Sequence, residues 1–405
     1  MNVIYLSPGF PAEMPLFVRG LQQVGARVLG VGDQPMSAMP REARDALSDY
    51  LQIGGFGDEA KVVEEVRHWL RGRSVDRVEC LWERLMYLAA RLRETFSVPG
   101  MSMAQTTVFR DKERMKQAVE RAGLRVPRHG RARSKQEAWA AVEHTGYPAI
   151  VKPIDGAGSK DTFRCNDRGE FEQALQRTAH VPEISVEEYI DGEELTYDTI
   201  CGNGKILYEN VSLYRPKPMI LAQNEWISMQ NIVLRDIYAD LPRPGVELGH
   251  GVLRALDFQT GFTHMEWFRT AAGEAVFGEI GGRPPGARLV HAMNYSCDID
   301  LFRGWAEAVC RGTLSQDTTK KYNASMIFKR AQGQGIVRAY QGLDELMQRY
   351  GKYVATIELT PIGEQKRDWR KVVVGDGWVV VRHPDLAFTL EMSERFVNDL
   401  RIVAG

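Results

Sequence analysis

Late in the middle of the 405-residue chain, two apolar runs each carry a single glutamate: Glu266 within Phe262–Phe268 and Glu279 within Ala275–Ile280. The runs read as two strands of an antiparallel hairpin. With a two-residue turn at Ala272-Gly273, Ala271 opposes Glu274 and Glu266 falls directly opposite Glu279. Opposed residues have Cβ atoms roughly 4.5–5.5 Å apart. Two carboxylates that close, on flanks this apolar, repel each other. They need a cation between them or a raised pKa. A hard divalent ion such as Mg²⁺ suits carboxylate oxygens and keeps positions open for phosphates. Arg283, four residues beyond Glu279, adds a planar, permanently charged donor beside such an ion. A register slipped by one residue would instead leave two exposed glutamates on a hairpin. His264 shares the face of Glu266; a lone strand histidine reads as a packed or hydrogen-bonded core group, and no catalytic role is assigned to it.

Two further segments carry chemistry. Lys152 lies inside the apolar strand Tyr147–Pro153 and is followed by Gly156-Ala157-Gly158-Ser159. A buried ammonium needs an anionic partner, and glycines let backbone N–H groups approach phosphate oxygens. A strand-end lysine reaching solvent is the simpler alternative, and the spacing is not that of a Walker loop. The second segment, Val186–Asp198, places acidic residues at both ends of one turn. They suit the amine of a purine and the hydroxyls of a ribose; a solvated acidic turn is the alternative.

Around these segments the chain reads as an alternation of short strands and helices. Strands at Val3–Leu6, Arg27–Val31 and Val75–Leu81 alternate with helices at Met14–Val24, Asp58–Leu70 and Arg84–Arg93, which predicts a small doubly wound parallel sheet over residues 1–105. Its first turn lacks the glycine fingerprint of a dinucleotide site. Further on, helices are expected at Asp111–Ala122, Phe171–Thr178, Pro244–Leu256, Leu301–Cys310, Leu343–Tyr350 and Ser393–Ile402. A hairpin is expected around Gly202-Asn203-Gly204, and a loop over Tyr214–Asn231. The formal net charge of −1 removes the electrostatic case for nucleic acid as the main partner. The five cysteines form no C-x-x-C pair and read as reduced. Nothing approaches a membrane span, and the start reads as a strand rather than a signal peptide, so a cytoplasmic protein is expected.

In order and spacing, these segments resemble the ATP-grasp superfamily, in its carboxylate–amine ligase branch with a biotin-carboxylase-like layout, and L-amino acid ligases within it. The resemblance runs from Leu6-Ser7-Pro8-Gly9 through Arg110-Asp111-Lys112, Val151-Lys152-Pro153, Gly156–Ser159 and Glu187–Asp198 to Glu266-Trp267-Phe268 and Glu279–Gly286. It implies an α/β and α+β architecture: an N-terminal pre-ATP-grasp domain (1–105), an ATP-grasp domain (106–325) with a small lid lobe (125–190) and a larger metal-binding lobe (191–325), and a C-terminal α+β subdomain (326–405). It also implies roles. Lys112 and Lys152 hold phosphates under a lid formed by Gly156, Ala157, Gly158 and Ser159. Glu187 meets the adenine amine, with the backbone of Glu188 and Ile190 along the base edge. Glu194 holds the ribose, and Glu266 and Glu279 bind Mg²⁺ or Mn²⁺. Arg283, with Lys152, serves catalysis by neutralising an acyl phosphate. Arg215, Lys217 and Arg288 border the acceptor pocket. Many relatives carry an asparagine ligand where this chain has Gly281, and Lys160-Asp161 stands where many lids continue with glycine. The implied activity is ATP-dependent joining of a small-molecule carboxylate to an amine, in a homodimer. The alternatives are a carboxylase or formate-type ligase on the same site, or a non-catalytic ATP-binding regulator.

Overall fold

The computed structural model describes residues 1–155, 161–216, 225, 227–369, 372 and 374–405. Asn2–Leu6 (β1), Arg27–Gly32 (β2), Leu47–Gln52 (β3) and Arg77–Glu79 (β4) form a parallel sheet in the order β3-β2-β1-β4. β1 is apolar on both faces because both are covered. Val3 and Tyr5 pack with Met14 and Phe17 of the helix Met14–Gln23, and Ile4 and Leu6 with helices Glu59–Leu70 and Met86–Phe96. β3, half-exposed at the sheet edge, has a mixed sequence and no periodic signal. The expected boundary at 105 falls inside the helix Met103–Arg110.

A second, antiparallel sheet combines His129–Ala132 (β5), Ala149–Pro153 (β6), Phe163–Cys165 (β7) and Ile184–Glu188 (β8) in the order β5-β8-β6-β7. Helices Lys135–Thr145 and Arg168–Arg177 cover its apolar face through Ala138, Val142, Phe171 and Leu175. Lys152 pairs with Ser185 across β6 and β8, so Lys152, Ser185 and Glu187 share the other face.

The largest sheet holds the hairpin. It contains Gly192–Gly202 (β9), Lys205–Arg215 (β10), Gln230–Val233 (β11), Gly261–Thr270 (β12), Ala275–Gly281 (β13) and Asn323–Lys329 (β14). After the short strands Gln332–Gly333 (β15) and Val337–Gln341 (β16), Val354–Leu359 (β17) and Gly377–His383 (β18) complete it in the order β13-β12-β9-β10-β11-β14-β18-β17. The expected boundary at 325 therefore falls within a strand, and the tail extends the central sheet. The expected loop over Tyr214–Asn231 gives up both ends to β10 and β11, because Tyr214 and Arg215 pair with Asn231 and Gln230. The terminal helix spans Leu386–Asp399, not 393–402. Arg401–Ala404 (β19) follows it, with the apolar Ile402 and Val403 paired between β15 and β16. Asn203 and Gly204 both have positive φ, as a tight hairpin turn between β9 and β10 requires.

The central sheet has two unlike faces. Leu195, Tyr197, Met265 and Trp267 pack with the helix Arg243–Ala255. Its glycines allow close approach: a β-carbon on Gly245 would lie 2.0 Å from the Trp267 ring, and one on Gly249 2.2 Å from Tyr197. The alternating positions, Glu194, Thr196 and Asp198 of β9 with His264 and Glu266 of β12, face the other way. All five cysteines are unpaired. Among the described residues, no helix is long and apolar enough to cross a membrane.

Candidate active site

Glu266 does sit directly opposite Glu279, but by a longer route than a two-residue turn. The Thr270 N–H donates to the Glu274 carbonyl (3.0 Å), which leaves Ala271-Ala272-Gly273 in the turn. Strand pairing then runs one residue out of the expected register, with Arg269 opposite Ala275 and Trp267 opposite Phe277. A β-bulge absorbs Gly278 and restores it at Glu266. A β-carbon on Gly278 would lie 2.8 Å from the Glu266 carbonyl oxygen, so the bulge depends on glycine. Without it Glu279 would point to the other face.

Three lysines approach the two carboxylates. Asp111 caps the helix Lys112–Arg121, accepting from the Glu113 and Arg114 N–H groups, and Lys112 and Lys116 lie on one face of that helix. Lys112 Nζ is 3.5 Å from Glu279 Oε2. Lys116, fully buried, reaches Glu187 Oε1 at 2.9 Å, and Lys152 reaches Glu187 Oε2 at 3.0 Å. The Ser185 hydroxyl also donates to Glu187 Oε1, at 2.8 Å. Both oxygens of Glu187, expected to meet the adenine amine, are here engaged in balancing two ammonium groups. Lys116 carried no signal in the sequence beyond its four-residue spacing from Lys112. Burial alone would raise the Glu187 carboxyl, but Lys116 and Lys152 hold it far below the usual carboxylate range. Burial likewise acts upward on Glu279, and Lys112, Lys152 and Lys116 outweigh it. Burial depresses Lys116, whereas Lys152, facing Glu187, Glu279 and Glu266, ends above its ordinary value despite its burial.

Arg283 also lines the cleft. Its Nε donates to Glu83 Oε2 (2.9 Å), and its Nη1 to the Pro284 carbonyl (2.9 Å). Glu83, just beyond β4, also pairs with Arg110, which pairs in turn with Asp155. Glu83 and Arg110 line the cleft with Glu266 and Glu279. Glu83 was not singled out in the sequence, because its neighbours place it in the N-terminal sheet, far along the chain from its partners.

The remaining expected site residues divide. Gly156, Ala157, Gly158, Ser159 and Lys217 lie outside the described residues. Arg215 is exposed at the end of β10. The guanidinium of Arg288 lies over the Trp378 ring at 4.5 Å, a packed position rather than an open one. The carboxylate of Glu188 accepts from the Arg128 N–H (3.0 Å) and Arg125 (3.2 Å), and its own N–H donates to the Arg128 carbonyl (2.8 Å). That N–H is therefore taken within the small lobe. Ile190 follows, buried, between β8 and β9, and half-buried Glu194 sits on the polar face of β9.

His264 is hydrogen-bonded, as expected, and it also lines the cleft. Its Nδ1 lies 2.5 Å from Asp198 Oδ1, directly across the strands, and its Nε2 lies 3.7 Å from Glu266 Oε1. The second oxygen of Asp198 accepts from Thr196 (2.9 Å) and Asn210 (3.0 Å), and the Asn210 side-chain Oδ1 accepts from half-buried Lys320 (2.8 Å). Burial acts to lower His264, but Asp198 and then Glu266 carry it up to about 9. A raised folded pKa stabilises the fold fully below the usual histidine value, and this contribution is lost as pH rises through about 9. Asp198→Asn is expected to bring the His264 imidazole titration, followed by NMR in metal-free protein, down below about 7. An unchanged titration would remove Asp198 as the cause.

The carboxylate pair fits a hard divalent ion. Among the described residues, no cluster of three or more His, Cys, Asp or Glu side chains could hold a metal. Two carboxylates with phosphate and water oxygens match the way Mg²⁺ is held beside nucleotides. At Gly281 even a β-carbon would lie 3.3 Å from Arg283 Cγ, so a side chain there would crowd the arginine. The polar group in that row is His264, the cross-strand partner of Gly281.

The ATP-grasp domain family matches residues 109–213. An L-arginine-specific L-amino acid ligase of Bacillus subtilis is 27% identical over 237 residues, 56% of each chain, so the match spans little more than half of that relative. Among solved structures, an L-amino acid ligase from Bacillus licheniformis superposes with a TM-score of 0.79 at 20% identity, over 100% of this chain and 98% of that one. An N5-carboxyaminoimidazole ribonucleotide synthetase from Thermotoga maritima gives 0.71 at 18% identity, over 100% and 99%. Residues 109–213 thus match the ATP-grasp domain family, and the chain shares its fold over its whole length with these solved structures.

Proposed function

We propose that the protein is an ATP-dependent ligase that joins a small-molecule carboxylate to an amine through an acyl phosphate, releasing ADP and phosphate. The observation that carries this reading is the convergence of Glu266 and Glu279, opposed on one face, with Lys112, Lys152 and Arg283. The names of the similar proteins support amino acids as the substrate class.

Lys112 and Lys152 are paired with glutamates in the cleft, so phosphates compete with Glu279 and Glu187 for them. Glu266 and Glu279 would hold Mg²⁺, which when bound supplies charge neutralisation at the phosphates. With Glu279 shared with that ion, Lys112 would be released to hold a phosphate oxygen. A carboxylate oxygen of the substrate attacks the γ-phosphorus, and the bond to the ADP oxygen breaks. Arg283 balances charge on the resulting acyl phosphate. The amine nitrogen then attacks the acyl carbon, the carbon–oxygen bond breaks, and phosphate leaves with a proton from the amine. The side chains position and neutralise; none becomes covalently attached. Glu194 and the Ile190 backbone are assigned to the nucleoside, and the Gly156–Ser159 segment to covering the phosphates.

Phosphate release measured over all pairs of a carboxylate and amine panel that includes the common amino acids, with mass analysis of products, tests this reading. An ATP-dependent condensation product supports it. Bicarbonate- or formate-dependent turnover without amide formation would replace it.

A further inference from the structure

The order β3-β2-β1-β4 reverses direction at β1, so the crevice beyond the carboxyl ends of β1 and β4 is the topological switch point of the N-terminal sheet, where open parallel sheets bind ligands. Two loops line it. The loop after β1 carries Phe10, which is 48% exposed, one of few large apolar side chains left in solvent among the described residues. The segment after β4 carries Trp82, whose ring meets Phe10 edge-on at 5.0 Å and 81°. The loop after β2 adds exposed Met36 and presses on Gly9, where a β-carbon would lie 2.6 Å from Gln34 Oε1. Single exposed apolar residues are ordinary; an aromatic pair on a ligand-binding crevice is not.

Both loops are tied to the proposed reaction centre. Trp82 precedes Glu83, which holds Arg283 at 2.9 Å. Glu13, closing the loop after β1, is buried with Oε1 unpartnered, and it is acted on by the Arg288 backbone N–H and by the charges of Arg288 and Arg283. Around Glu266 and Glu279, Lys152 comes from β6 of the small lobe, and Glu83, which holds Arg283, comes from the segment after β4 of the N-terminal sheet. The crevice adjoins the Glu83–Arg283 pair, so an amine that enters past it reaches the acyl carbon beside Arg283.

We infer that the crevice between the loops after β1 and β4 is the subsite for an apolar side chain on the amine substrate, with Phe10 and Trp82 as its wall. The inference rests on the ligase reading and adds the class of acceptor. The test is initial-rate phosphate release by wild type, Phe10→Ala and Phe10→Leu, with L-phenylalanine, L-leucine, glycine and L-aspartate as amines and product order read by mass analysis. Wild type should place phenylalanine or leucine on the amine side in preference to glycine and aspartate. Phe10→Ala should raise KM for those two on the order of 10-fold while shifting KM for glycine and for ATP little, and Phe10→Leu should recover most of the loss. A ligase that prefers glycine or aspartate as amine, or an equal rise in KM for every amine, would overturn the subsite and leave the ligase reading intact. Absence of amine-dependent phosphate release from every pair would overturn both.

Discussion

Replacing Glu279 by glutamine is expected to lower ATP-dependent ligation by a factor on the order of 10²–10³. The substitution keeps the shape of the side chain and removes the charge that opposes Glu266 across the hairpin. With one carboxylate gone, a divalent ion loses half of its protein ligands, and the Mg²⁺ concentration for half-maximal rate should rise. The same carboxylate is the one 3.5 Å from Lys112, so a drop in rate alone would not separate metal binding from ion pairing. Metal dependence separates them: loss of a structural ion pair changes the melting temperature without moving the Mg²⁺ requirement. Glu279→Asp should fall between wild type and glutamine, since it keeps the charge and shortens the reach. Full activity with an unchanged Mg²⁺ requirement in Glu279→Gln would remove the metal assignment, and the ligase reading with it.

The hairpin shows what the sequence could tell and why. Alternation along His264-Met265-Glu266-Trp267 was enough to put Glu266 on a face with Glu279, because a face is a local property of a strand. The turn length was not legible. Three turn residues plus a bulge at Gly278 give the same facing pair as two residues and none, and only the steric demand at Gly278 distinguishes them. The first two strands and most helices were readable because their apolar periods are long. β3 and β19 were not, being short strands whose pairing is decided by distant partners. Partner identity was the larger loss. For Glu187, nothing in the chain shows that Lys116, far back on another helix, shares its pocket. Glu83 and Asp198 were missed for the same reason: each meets its partner across two elements remote in sequence.

Glu187→Gln is expected to destabilise the fold by about 3–5 kcal/mol, the usual cost of removing one member of a buried ion pair. Lys116 is fully buried and Lys152 largely so, and the two carboxylate oxygens of Glu187 sit 2.9 and 3.0 Å from their ammonium groups. An amide keeps one acceptor, and its NH₂ group faces a cation. Adding Lys116→Met to Glu187→Gln should recover part of the loss, since an apolar chain of similar length needs no partner there. Lys116→Met alone should cost less than Glu187→Gln, because Lys152 still balances the carboxylate. The pH dependence follows from the lowered folded pKa of Glu187. A depressed carboxyl stabilises the fold above its unfolded value, about 4.3, and this contribution is lost as pH falls toward the folded value. Denaturant melts at pH 7 should therefore separate wild type from Glu187→Gln widely, and melts below pH 4 should bring them together. Equal stability at pH 7 would mean that the lysines are balanced by other groups. ATP binding supplies a second readout with the opposite sign. Lys152 without its carboxylate partner no longer has to be taken from Glu187 by a phosphate, so KM for ATP should hold or fall even as the fold weakens.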